Sequence, residues 1–214
     1  MRLNLCIDID GTITEPYYWL DMANRCFGTS ITPSEVITYE IHEVLSIPKE
    51  DYLRFYEEYG IELHEKAKLR EDAKQFLWEL NQKHNIFYVT ARETRMKEVT
   101  EHWFIRNNLP TGELYILGTH YKVDKAKELN CHVFIEDRYE NAMQLAQEGF
   151  EVLLIDCTYN RSPLIPGITR VFSWREIYKK IEELNQSLEA CTEEALKIIK
   201  RYTDIDEEGT TKIA

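Results

Sequence analysis

CIDIDGTIT, residues 6–14, places two carboxylates where a buried strand ends. Leu3, Leu5, Ile7 and Ile9 alternate with period two, so Ile7 and Ile9 share one face while Asp8 and Asp10 share the other. A strand inside a parallel sheet is covered on both faces and reads as apolar throughout. Two carboxylates this close repel, and one keeps its proton unless a cation lies between them. Gly11-Thr12 permits a sharp turn directly afterwards. The run therefore reads as a strand that delivers acidic groups to its carboxyl end, the edge at which open α/β sheets bind ligands.

Further short apolar runs follow at 85–90 (NIFYVT), 113–118 (ELYILG), 131–136 (CHVFIE) and 150–156 (FEVLLID), with a weaker one at 169–173 (TRVFS). Amphipathic stretches such as 93–108 and 138–149 lie between them, and Ala142, Leu145 and Ala146 keep the three-and-four spacing of a helix. Strands alternating with helices predict crossover units and a parallel sheet. The first two strands are far apart, however, and the residues between them read as several helices. Thr32-Pro33-Ser34-Glu35 has the form of a capping box, Pro48 opens a second helix, and 71–84 forms a third that packs back on the sheet. Two units are expected: an α/β core from 1–15 and 76–214, and a helical insertion, 16–75. An insertion there stands over the carboxyl end of the first strand as a lid. After Trp174, an apolar stripe of Ile177, Ile181, Leu184, Leu188, Cys191, Leu196 and Ile199 packs on the core or on a second subunit, making an oligomer an open option. Residues 203–214 read as a frayed tail.

A chain of 214 residues supports one full core with a small inserted unit. At 43% hydrophobic and 30% charged residues it is a globular, not a disordered, sequence. A net charge of −12 argues against a nucleic-acid surface, which needs clustered Lys and Arg, yet leaves room for a small phosphorylated ligand. The five cysteines are scattered, with no Cys-x-x-Cys pair, and fit reduced thiols better than a zinc site or a disulfide framework. The histidines show no ligand spacing. No apolar run approaches a membrane span and no signal peptide is read before Leu3, so the expected location is cytoplasmic.

Asp8-x-Asp10-Gly11-Thr12 resembles the first motif of the haloacid dehalogenase-like phosphohydrolases. Thr90, ending the strand before Ala91-Arg92, resembles the second, Lys122 at the start of 122–130 the third, and Glu136-Asp137 at the end of 133–137 the acidic fourth. The order is the family's order, and the set covers the whole core. The resemblance implies a Rossmann-like parallel sheet with a helical cap inserted after the first strand. The run 133–161 is further similar to nucleotidases of this superfamily related to the 5′(3′)-deoxyribonucleotidases.

The chemistry agrees with the resemblance. A phosphate ester and a carboxylate nucleophile are both anions, and their approach needs a cation to neutralise charge. The resemblance implies Asp8 as nucleophile, forming an aspartyl-phosphate, with Asp10 protonating the leaving oxygen and then deprotonating water. It places Mg²⁺ on the Asp8 carboxylate, the Asp10 backbone carbonyl and Asp137, a set of hard oxygen donors. Thr90 would donate to the phosphoryl group, although a Thr after a strand also serves as a helix N-cap. Lys122 would offset surplus negative charge, with Lys125 as a nearby competitor. Glu136 stands where many relatives carry Asp. Tyr17 and Trp19 follow the catalytic loop closely and either stack on a nucleobase or form the insertion's own core. Ala91, Arg92 and Arg161 are the remaining candidates for substrate contact. The implied activity is removal of phosphate from a nucleoside monophosphate. Its alternatives are hydrolysis of a sugar phosphate or other small metabolite, and a non-catalytic phosphate-binding protein on the same fold. Neither nucleic-acid nor membrane partners are expected.

Overall fold

Each apolar run becomes a strand. The computed structural model describes residues 1–206, the last six as backbone alone. The strands are β1 (Asn4–Ile7), β2 (Asn85–Thr90), β3 (Glu113–Ile116), β4 (Val133–Glu136), β5 (Glu151–Ile155) and β6 (Ile168–Val171). They form one parallel sheet in the order β3-β2-β1-β4-β5-β6. β1, the first to be made, lies in the middle, with Leu5 beside both Ile86 and Val133. The winding reverses at β1 and β4, and such a reversal opens a crevice at the carboxyl ends of the two strands. β1 is shorter than the expected 3–9, because the chain leaves the sheet at Asp8 and turns: the Ile13 and Thr14 amides donate back to the Ile9 carbonyl.

Helices cover both faces. α4 (Ala73–Lys83), α5 (Lys97–Arg106) and α8 (Trp174–Asp206) bring Leu77, Leu80, Trp103, Ile177 and Ile181 against Leu3, Leu5 and Ile7. On the opposite face, α6 (Val123–Glu128) and α7 (Tyr139–Gln147) bring Val123, Ala126, Ala142 and Leu145 against Cys6, Phe134 and Val152. Along β1 the side chains thus alternate between two apolar layers, as burial of both faces requires. The stripe on α8 packs on the core only as far as Leu188, and Leu196 beyond it is exposed. Residues 203–206, expected to fray, continue this helix, while 207–214 lie outside the described residues. Among the described residues no helix is long and apolar enough to cross a membrane.

Between β1 and β2 lie α1 (Leu20–Phe27), a single-turn α2 (Ile41–Val44) and α3 (Lys49–Lys66), which share a cluster of Trp19, Leu20, Ala23, Val36, Leu45, Phe55 and Leu63. The capping box at Thr32 forms, with Thr32 and Glu35 bonded reciprocally, but it starts only one turn of 3₁₀ helix, Pro33–Glu35. The β-branched residues Val36, Ile37 and Thr38 come next and favour extended backbone. Entry and exit of the insertion are stitched together. Thr14 bridges Leu69, the Glu15 amide donates to the Lys68 carbonyl at 2.8 Å, and the Arg70 amide donates to the Ile13 carbonyl at 2.9 Å. Leu69 and Ala73 pack with the apolar cluster of the sheet.

Candidate active site

The crevice at the ends of β1 and β4 holds three carboxylates. Asp8, Glu136 and Asp137 are all buried, and each offers an oxygen within 4.8 Å of the others. Lys122, at the start of α6 and 2% exposed, lies among them. Its Nζ donates to Asp8 Oδ1 at 2.5 Å and to Glu136 Oε2 at 2.8 Å. Lys125, the competing lysine, instead pairs with Glu128 on the surface. Burial pushes the Asp8 carboxyl up to about 7, with Glu136 and Asp10 adding repulsion that Lys122 offsets in part. Burial likewise holds Asp137 well above the usual carboxylate range, reinforced by Asp8 and Glu136. One ammonium does not balance three buried carboxylates, and a cluster of hard oxygen donors with surplus negative charge is the composition of a Mg²⁺ site.

The loop after β1 is shaped around this cluster. Gly11 has φ +77°, and a Cβ there would run into the Asp137 carboxylate and lie 2.7 Å from the Tyr159 hydroxyl. Glycine is therefore required twice over, by conformation and by space. The Tyr159 hydroxyl donates to Asp137 Oδ2, while Asn160, fully buried, donates to the Asp137 carbonyl at 2.6 Å. Arg70, at the end of the insertion, donates to the Gly11 carbonyl at 2.7 Å.

Asp10 has a different environment from Asp8. Arg92 grips it with two bonds, Nε to Oδ2 at 2.8 Å and Nη2 to Oδ1 at 2.7 Å, and Nη1 is anchored on Thr100 at 2.9 Å. Burial pushes the Asp10 carboxyl up, but Arg92 and His64 outweigh it and hold the group well below the usual carboxylate range. The Asp10 side chain thus stands outside the three-carboxylate cluster, leaving its backbone carbonyl as the group that could join a cation.

A cavity of about 420 Å³ opens above these groups, between the core and the insertion. Asp10, Gly11, Ala91, Arg92 and Asp137 line its floor; Tyr18, Trp19, Tyr39, Tyr52 and Tyr56 line its walls. Thr90 is buried at the end of β2; its hydroxyl accepts from the Arg92 amide at 3.2 Å and caps no helix. Trp19 contributes to the cavity wall but is 7% exposed, within the insertion's apolar cluster. Tyr17 is not brought to the cavity: its hydroxyl meets Thr158 and ties the insertion to the loop after β5. Nor is Arg161, whose guanidinium pairs with Asp156 and is largely exposed. The cavity also gathers His64, Tyr39 and Tyr159, which sequence spacing does not reveal, because each reaches the loop from a distant segment. Only the position of Tyr159, just after β5 on the same sheet edge, signals its role.

Comparison with known proteins agrees with this geometry. Residues 2–187 match the family model described as 5′ nucleotidase, deoxy (pyrimidine), cytosolic type C protein. A nucleotidase of Clostridium acetobutylicum is 48% identical over 189 residues, spanning 88% of this chain and 98% of that relative. Among solved structures, a haloacid dehalogenase-like hydrolase of Streptococcus pneumoniae superposes with a TM-score of 0.63 at 14% identity, covering 84% of this chain and 98% of that one. The magnesium-bound YfnB of Bacillus subtilis superposes with a TM-score of 0.60 at 13% identity, covering 85% and 100%. The chain belongs to the 5′ nucleotidase, deoxy (pyrimidine), cytosolic type C family of haloacid dehalogenase-like phosphomonoester hydrolases.

Proposed function

We propose that the chain hydrolyses nucleoside 5′-monophosphates with Mg²⁺, through an aspartyl-phosphate on Asp8. The observation that carries this reading is the buried Asp8–Lys122–Glu136–Asp137 cluster beneath an aromatic-walled cavity. Asp8 and Asp137, with the Asp10 carbonyl, would hold the cation. Bound there, Mg²⁺ supplies the charge neutralisation that lets two anions meet. Asp8 attacks phosphorus, and Lys122 steadies the carboxylate and the negative charge around it. Asp10 gives a proton to the departing ester oxygen and recovers one from the attacking water. In the structure Arg92 favours the charged form of Asp10, so the acid role requires a release. The incoming phosphoryl group supplies it, since a phosphate dianion offers the guanidinium the same bidentate partner that Asp10 does. Thr90, next to Arg92, donates to the same group. The aromatic walls give the base its face, because stacking on rings tolerates a planar heterocycle of any substitution.

Phosphate release measured across nucleotides and sugar phosphates, with and without Mg²⁺, tests this. At least one nucleoside monophosphate should exceed ribose 5-phosphate in kcat/KM by about tenfold or more, or roughly 1.4 kcal/mol of transition-state binding. Equal rates on ribose 5-phosphate and all nucleotides would reject the nucleotide substrate. Absence of turnover on every phosphate ester would reject catalysis.

A further inference from the structure

Asp10 is held from the insertion as well as from the core. The Tyr18 hydroxyl donates to Asp10 Oδ1 at 2.9 Å and also lies 3.1 Å from His64 Nδ1, while the Tyr56 hydroxyl lies 2.8 Å from His64 Nε2. A carboxylate only accepts, so the one hydrogen of Tyr18 is committed to Asp10. The contact with His64 must then run the other way, with Nδ1–H donating to the Tyr18 oxygen. Tyr56, His64, Tyr18 and Asp10 form a directional chain. His64 lies on α3 and is 3% exposed. An apolar side chain would fill its place at no desolvation cost, so a buried imidazole bonded at both nitrogens calls for a reason beyond packing.

We propose that His64 is a positioning residue for Asp10, acting through Tyr18. The proposal rests on the reading of Asp10 as the acid. Arg92 cannot keep Asp10 in place if it turns to the phosphoryl group, and the chain from α3 is then the remaining hold. It engages Oδ1 alone and leaves Oδ2 as the oxygen that carries the proton. When Asp8 attacks, the bond from phosphorus to the ester oxygen breaks. Its electron pair goes to that oxygen, which takes the proton from Oδ2 and leaves Asp10 a carboxylate. A carboxyl free to swing misses that geometry, and small misplacements cost large factors in rate.

The test compares two esters: deoxythymidine 5′-monophosphate, whose alkoxide needs the proton, and p-nitrophenyl phosphate, whose phenolate leaves without it. The readout is the ratio of their kcat values in the full-length chain with Mg²⁺. Asp10→Asn should lower the ratio most. Tyr18→Phe and His64→Phe should each lower it about tenfold with KM changed far less, and the double variant should be no worse than either. His64→Asn, whose amide donates from near the position of Nδ1, should restore most of it. If Asp10→Asn lowers the ratio while Tyr18→Phe leaves it unchanged, the positioning role is overturned, whether or not His64→Phe folds. If Asp10→Asn itself leaves the ratio unchanged, the acid role falls, and the proposal with it.

Discussion

Two carboxylates two residues apart are given different environments by their neighbours. Asp8 meets an ammonium shared with Glu136, and burial presses it toward its protonated form; Asp10 meets a guanidinium of its own and stays charged. Both shifts run against the roles proposed for the pair, so a cation beside Asp8 and a phosphoryl group beside Arg92 would each have to reverse one of them. Asp8→Asn keeps the shape and the bond from Lys122 but removes the attacking oxygen's charge, so turnover should fall by several orders of magnitude. Steady-state assay of the purified variant, with circular dichroism to verify the fold, checks this; activity within tenfold of the parent would rule out Asp8 as nucleophile. The convergence of the candidate residues was legible in the sequence. Asp8, Asp10, Thr90, Lys122 and Asp137 all reach the same sheet edge, because the ends of parallel strands and the starts of the helices after them converge there. The Arg92–Asp10 grip was not legible, being made across 82 residues with no local pattern to announce it. Arg161 is drawn away from the cavity for the converse reason: it pairs locally with Asp156, five residues away.

The insertion divides its aromatic residues between structure and cavity. Trp19 packs with Leu20, Phe55 and Leu63 while presenting one edge to the cavity. Trp19→Ala should therefore cost about 3–5 kcal/mol of stability, as large-to-small changes of buried aromatics do. Chemical denaturation gives that number, and kcat/KM on the nucleotide should fall less than it does in Tyr18→Phe; a stable variant that had lost only base discrimination would show stacking to be its main role. Sequence patterning marked the starts of α3 and α4 but named neither α1 nor α2. α3 begins directly after Pro48, as expected, and α4 spans Ala73–Lys83 against the expected 71–84. The Thr32 box could not propagate a helix into the β-branched run behind it. Local capping chemistry fixes where a helix starts, whereas its extent depends on the downstream residues and on the surface it packs against.

Charge and topology act on the molecule as a unit. A carboxyl that keeps its proton to a higher pH in the fold than in the unfolded chain makes the folded state bind more protons across that interval, so stability falls as pH rises through it. For Asp8 the interval runs from its ordinary 3.8 to about 7, and Asp137 shifts in the same direction. Metal-free protein should accordingly lose thermal stability as pH rises across that range, and Mg²⁺ should restore it at the upper end. Saturation at a hundredfold excess over Kd is worth about 2.7 kcal/mol, or a few degrees in Tm. Asp137→Asn should raise the Tm of the metal-free protein and abolish the Mg²⁺ increment; an undiminished increment would move the cation elsewhere. The position of β1 has a consequence of another kind. Its partners Ile86 and Val133 lie far along the chain, so the central strand of the sheet is synthesised first and hydrogen-bonded late. At about 5–20 residues per second, Leu3, Leu5 and Ile7 remain an apolar segment without a template for several seconds after they leave the ribosome. Sheets closed by such remote pairing fold slowly. Ribosome-bound chains ending before Thr90 should stay protease-sensitive at their amino terminus, with protection arriving once Glu136 has emerged. The strand that leads into Asp8 is the one whose birth and whose burial are furthest apart in time.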